Sequence, residues 1–113
     1  HHARAVGRAR ERALLIIDMP WMSYHVSPAE ALCNAAKLVR ASGADAVKLE
    51  GGAKRVPAIR AILDAEIPVM GHLGLTPQSV HAMGGYKVQG KATEAARDLI
   101  RDAIALADAG VFA

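Results

Sequence analysis

The sequence predicts an α/β fold built on parallel strands, and three observations carry that expectation. Four short apolar runs, at 13–18, 45–50, 67–72 and 111–113, read as strands. Segments of helical period separate them, giving the order αβαβαβαβ, and strands alternating with helices run parallel through right-handed crossovers. Alanine is abundant and aromatic residues make up only 4% of the 113 residues, which suits helices packed on a parallel sheet.

The first dozen residues read as a helix weakened by Gly7. "ALLIID" (13–18) is the first strand. "SPAEALCNAAKLVRASG" opens a helix with Ser27 as N-cap, Pro28 at the first helical position and Glu30 completing a capping box; Gly43 marks its end. "DAVKLE" (45–50) is the second strand. "AKRVPAIRAILDAE" is a helix with Pro57 in its first turn. "IPVMGH" (67–72) is the third strand. The stretch "GHLGLTPQSVHAMGGYKVQGK" is a loop by its Gly and Pro content, with a short helical turn over "PQSVHAM"; connections this long are usually binding loops or lids. A helix starting at Thr93 and ending at Gly110 carries apolar residues at 96, 99, 100, 103 and 107, and "VFA" (111–113) begins a fourth strand.

Two architectures fit this order, an open doubly wound sheet or a segment of a (β/α)₈ barrel. A whole barrel needs about 250 residues, so the chain would hold under half of one. It is expected to be one partial domain, 1–113, cut at both ends, because it opens on a helix and stops inside a strand.

Composition excludes several classes of function. No apolar run approaches the roughly 20 residues that span a membrane, and the Arg-rich start lacks the apolar core of a signal peptide. The net charge of +3 owes much to "ARAVGRARER", which reads as a solvated helix face; no aromatic residues interleave it, so nucleic acid is not an expected partner. The single cysteine, Cys33, has no internal disulfide partner and is expected to be a small buried residue in a reducing, cytoplasmic setting.

Side chains alternate faces along a strand. Leu14, Ile16 and Asp18 therefore share a face, as do Ala46, Lys48 and Glu50, and Pro68, Met70 and His72. Each face turns polar at its C-terminal end, where parallel α/β folds bind ligands. Asp18, Lys48, Glu50 and His72 are thus expected to converge. Two carboxylates from separate strands suit a hard divalent cation such as Mg²⁺, and a lysine beside them suits an anionic substrate. A Lys48 salt bridge to Asp18 or Glu50 explains the same residues without a metal, and His72 by itself reads as a hydrogen-bonded structural residue. His25 and His81 fall in loop-like stretches and are expected to face solvent.

The stretches "DMPWMSY", "GADAVKLEGG", "IPVMGHLGLTPQSVHAMGGYKVQGK" and "DAIALADAGVFA" strongly resemble the ketopantoate hydroxymethyltransferase family over nearly the whole chain. The resemblance implies the central part of a (β/α)₈ TIM barrel. It also implies Mg²⁺ as cofactor and 5,10-methylenetetrahydrofolate as co-substrate. The implied reaction is hydroxymethyl transfer to 3-methyl-2-oxobutanoate through a Mg-stabilised enolate, giving 2-dehydropantoate for pantothenate synthesis. By motif, Asp18 corresponds to a metal ligand that also neighbours the substrate, Glu50 to a second acid at the metal, Lys48 to the substrate-binding lysine and His72 to the site's wall. Trp21 stands where the family usually has Phe. A further metal-binding Asp in a "GDS" motif falls upstream of the chain, and the catalytic Glu is expected a few residues beyond Ala113, so no residue here is expected as the base. The resemblance further implies a homo-oligomer.

Three other readings compete. A Mg-dependent 2-oxo-acid lyase or mutase of the phosphoenolpyruvate mutase and isocitrate lyase kind uses similar chemistry, but "GLTPQSVHAMGGYKVQG" argues against it. A phosphate-accepting receiver module lacks its acidic pair and its late lysine. A non-catalytic piece is the third, because a barrel segment exposes sheet edges.

Overall fold

A computed structural model describes residues His1–Ala113. The order is α1 (His2–Ala9), β1 (Ile16–Asp18), α2 (Pro28–Ser42), β2 (Ala46–Glu50), α3 (Val56–Asp64), β3 (Val69–His72) and α4 (Thr93–Ala109). Single 3₁₀ turns at Ala53–Arg55 and Pro77–Ser79 precede α3 and begin the long loop. The three strands form one parallel sheet in the order β1-β2-β3. The chain is therefore α/β, in a form compatible with a segment of a barrel. No helix is long and apolar enough to cross a membrane.

The alternation of each strand decides where the core lies. Ile17, Val47, Leu49 and Val69 point to one face and pack with Ala31 and Ala35 of α2, Ile59 and Ile62 of α3 and Leu106 of α4. All four helices lie on that side: α2, α3 and α4 cover the sheet, and α1 packs on α2. The opposite face carries Ile16, Lys48 and Met70, half-buried with no helix over them.

Local chemistry sets the element ends. Ser27 Oγ accepts the Glu30 amide at 3.1 Å, and Gly43, at φ +69°, adopts the left-handed conformation that stops α2. Arg10 clamps the two loops below the sheet, donating to Gly43 O at 3.1 Å, Ala13 O at 3.2 Å and the Asp45 carboxylate. Gly7 does more than weaken α1. A Cβ there would stand 2.5 Å from Ser42 O, so glycine lets α1 approach α2. Gly52 has the same use, since a side chain there would overlap the Asp102 carboxyl, which instead accepts the Ala53 amide at 2.8 Å and docks α4.

Several expectations need correction. The first strand is only Ile16–Asp18, because Ala13 and Leu14 are exposed and make no sheet ladder. Residues 53–55 form the 3₁₀ turn rather than the start of α3. "VFA" is not a strand, although Phe112 N donates to Val69 O at 3.1 Å and Ala113 O accepts from Gly71 N at 2.8 Å, the first ladder bonds of one. On α4 the fully buried residue is Leu106, while Ile100, Ala103 and Ala107 are exposed. Cys33 is exposed on the outer side of α2, because Ala31 and Ala35 occupy the buried stripe.

Candidate active site

Sheet register assembles a polar row at the C-terminal ends of the strands. Asp18 lies opposite Lys48, Lys48 opposite Met70, and Glu50 opposite His72. All four polar side chains point away from the helices, as the period of two requires. Lys48 Nζ donates to Asp18 Oδ2 at 2.6 Å and stands 4.0 Å from Glu50 Oε1. His72 Nδ1 is 3.3 Å from the same Oε1, but the angle is not that of a hydrogen bond, and this buried nitrogen has no partner.

The two acids sit in different surroundings. The Asp18 side chain is 54% exposed, and only one of its oxygens is engaged. An ion pair that open is worth about 0–1 kcal/mol, so stability does not account for it. The Glu50 side chain is 4% exposed. Its Oε2 accepts the Gln78 amide at 3.0 Å, and a carboxyl group so buried, with one hydrogen bond, is costly to keep for structure alone.

Sequence reasoning missed the support beneath Glu50. Tyr24, buried among the core residues, donates its hydroxyl to Gln78 Oε1 at 2.7 Å and accepts the Glu50 amide at 3.3 Å. Gln78 Nε2 donates to Met19 O at 3.0 Å. Burial first, and the nearby Glu50 and Asp18 carboxyls after it, push the Tyr24 phenol above its ordinary pKa; the Glu50 amide bond and Arg55 oppose them. Tyr24 is therefore a neutral donor that holds Gln78, and Gln78 holds Glu50. Pro77, which starts the turn carrying Gln78, was the available signal in the sequence.

The other histidines divide. His81 is exposed, as expected. His25 is not solvent-facing: its ring packs on Tyr24 with centroids 4.2 Å apart, and its Nδ1 is buried without a partner. Burial, then Arg55 and Lys54, lower its pKa.

The donor set can be tested against a divalent cation. No group of three or more His, Cys, Asp or Glu side chains is gathered for a metal. The two acids of the row offer hard oxygen donors, with one Asp18 oxygen free and Glu50 held behind Lys48 and His72, whose Nδ1 is the one imidazole nitrogen beside them. That fits an ion taking one or two carboxylates and filling its remaining positions with water and substrate, as Mg²⁺ does, and does not fit a closed all-protein cage.

Comparison with known proteins gives a consistent picture. A family model described as ketopantoate hydroxymethyltransferase matches residues 1–113. A protein of Syntrophomonas wolfei named 3-methyl-2-oxobutanoate hydroxymethyltransferase is 56% identical over 112 residues, covering 99% of this chain and 41% of its own length. Proteins of the same name from Clostridium botulinum and Geobacter sulfurreducens are 57% and 58% identical over 113 residues, covering 100% of this chain and 41% and 42% of theirs. The chain thus spans about 41% of the length of the curated relatives it matches.

Proposed function

Because the chain belongs to the ketopantoate hydroxymethyltransferase family, we propose that the whole protein transfers a hydroxymethyl group from 5,10-methylenetetrahydrofolate to 3-methyl-2-oxobutanoate, giving 2-dehydropantoate. The observation that carries this reading is the row Asp18–Lys48–Glu50–His72, gathered at the C-terminal ends of three parallel strands. The proposed architecture is a (β/α)₈ barrel of which this chain is a part. The helix cover on one face only supports that reading, since a doubly wound sheet is covered on both. The reading carries with it a cytoplasmic homo-oligomer.

Asp18 would hold Mg²⁺ through its free oxygen, and Glu50 would hold it directly or through water. Bound Mg²⁺ supplies Lewis-acid stabilisation of the negative charge that develops when a 2-oxo acid loses its C3 proton. Lys48 offsets the charge of the substrate carboxylate, exchanging part of its contact with Asp18 for that group. Gln78 fixes one oxygen of Glu50 and limits its rotation, and Tyr24 fixes Gln78. His72 walls the site next to Glu50, with its buried Nδ1 available to a substrate oxygen or water. None of these residues is placed as the base that takes the C3 proton. We assign that role to a carboxylate outside this chain, and the chain by itself is proposed to be inactive.

The test is product formation by the full-length protein carrying this chain. With Mg²⁺, 3-methyl-2-oxobutanoate and methylenetetrahydrofolate, 2-dehydropantoate should form, and removing Mg²⁺ with a chelator should abolish it. Absence of product, with Mg-dependent cleavage of a 2-oxo-acid precursor instead, would replace this reading by a lyase.

A further inference from the structure

A second polar cleft lies beside Tyr24 and does not include Glu50 in its lining. It opens between the first turns of α2 and α3, has a volume of about 90 Å³, and is walled by Tyr24, His25, Ser27, Lys54 and Arg55 among others. Two of its lining residues carry a buried nitrogen without a hydrogen-bond partner, His25 Nδ1 and Arg55 Nε. Buried polar groups are nearly always satisfied, so two orphans in one cleft ask for a ligand. Neither Lys54 nor Arg55 enters any of the chain's ion pairs. No acid lines the cleft: Glu30 in the first turn of α2 is exposed, Asp102 is engaged by the Ala53 amide, and Glu50 is held by Gln78. Geometry is fixed by stacking: the Arg55 guanidinium lies 5.7 Å from the centre of the Tyr24 ring, and that ring packs on His25.

We propose that this cleft is an anion subsite that takes one carboxylate or phosphate group of a small-molecule ligand. Lys54 and Arg55 supply the charge, the two orphaned nitrogens supply direction, and the N-terminal ends of α2 and α3 add partial positive charge. Burial first, and Arg55 and Lys54 after it, lower the His25 pKa, so both cations act on this ring. The subsite stands on these observations alone and does not depend on the hydroxymethyl-transfer reading. The Tyr24 ring joins the two regions, its hydroxyl serving Glu50 and Gln78 and its face serving Arg55.

The experiment is calorimetric titration of the full-length protein with inorganic phosphate and, separately, with glutarate, against potassium chloride at matched ionic strength. Saturable binding of either anion is expected, and which one binds identifies the group the cleft takes. Lys54→Gln and Arg55→Gln should each weaken that binding by about tenfold or more, the loss expected for a charge-assisted contact. Lys54 is exposed, so its variant decides the matter if Arg55→Gln fails to fold. Heats no different from the chloride control, or an affinity unchanged in Lys54→Gln, would overturn the proposal.

Discussion

Lys48 stands 2.6 Å from one carboxylate and 4.0 Å from another. A purely structural lysine would bury its pair, whereas Asp18 is left largely in solvent, where the pair adds little stability. On the proposed chemistry the ammonium is shared with the substrate carboxylate, both on binding and as charge builds. Lys48→Ala in the full-length protein should therefore raise KM for the 2-oxo acid and also lower kcat. The fall in kcat/KM should be roughly 10- to 100-fold, equivalent to one charge-assisted hydrogen bond. Unchanged constants would reduce Lys48 to a salt bridge. The four members of the row were legible in the sequence because a period of two at strand ends is a local pattern. Tyr24 and Gln78 were not, because they meet across 54 residues of chain through loops with no period to read. His25 was misread for a similar reason: its ring packs on Tyr24, and Lys54 and Arg55, from the turn before α3, line the same cleft.

At the scale of elements, the strand–helix alternation and the caps of α2 could be read in advance because each depends on a few adjacent residues. The glycines at 7 and 52 could not, since what they make room for is another element. The join between α1, β1 and β2 is equally non-local. Asp45 accepts from Arg10 and from the Leu15 amide, the latter at 2.9 Å, and these bonds, Arg10 first, hold its carboxyl below the ordinary range. A depressed acid contributes stability that is present above the unfolded-state pKa and is lost as pH falls through the folded one. Unfolding of the full-length protein followed from pH 5 down to pH 2 should therefore show acid destabilisation that is smaller in Asp45→Asn, which is also less stable at neutral pH. An identical acid slope in the two proteins would show that the clamp contributes nothing.

At the scale of the whole molecule, the chain has a covered face and an open one. Its C-terminal edge is also open: Ile100, Ile104 and Phe112 are exposed, and Gly71, Leu106, Val111 and Phe112 help line an apolar cavity of about 280 Å³. That cavity lies away from Asp18 and Lys48 and has no polar chemistry of its own. The open β3 edge already makes two ladder bonds with residues 112 and 113, accepting one from Phe112 N at Val69 O and donating one from Gly71 N to Ala113 O. These features agree with a chain that spans about 41% of its curated relatives, and they explain why element order alone left a barrel segment and a doubly wound sheet both open, with the resemblance choosing between them.

The central claim is that this row of residues supplies the metal-holding and charge-offsetting half of a site for a 2-oxo acid, with the base outside the chain. The most direct measurement is hydrogen–deuterium exchange at C3 of 3-methyl-2-oxobutanoate with Mg²⁺ and no folate. It is made on the full-length protein, on its Asp18→Asn variant and on the 113-residue chain. The expected result is exchange by the full-length protein, a fall of at least about 10²-fold in Asp18→Asn, and no exchange above the buffer rate from the chain alone, since a missing general base typically costs about 10²–10⁴-fold. Undiminished exchange in Asp18→Asn, or exchange by the isolated chain above the buffer rate, would contradict the account.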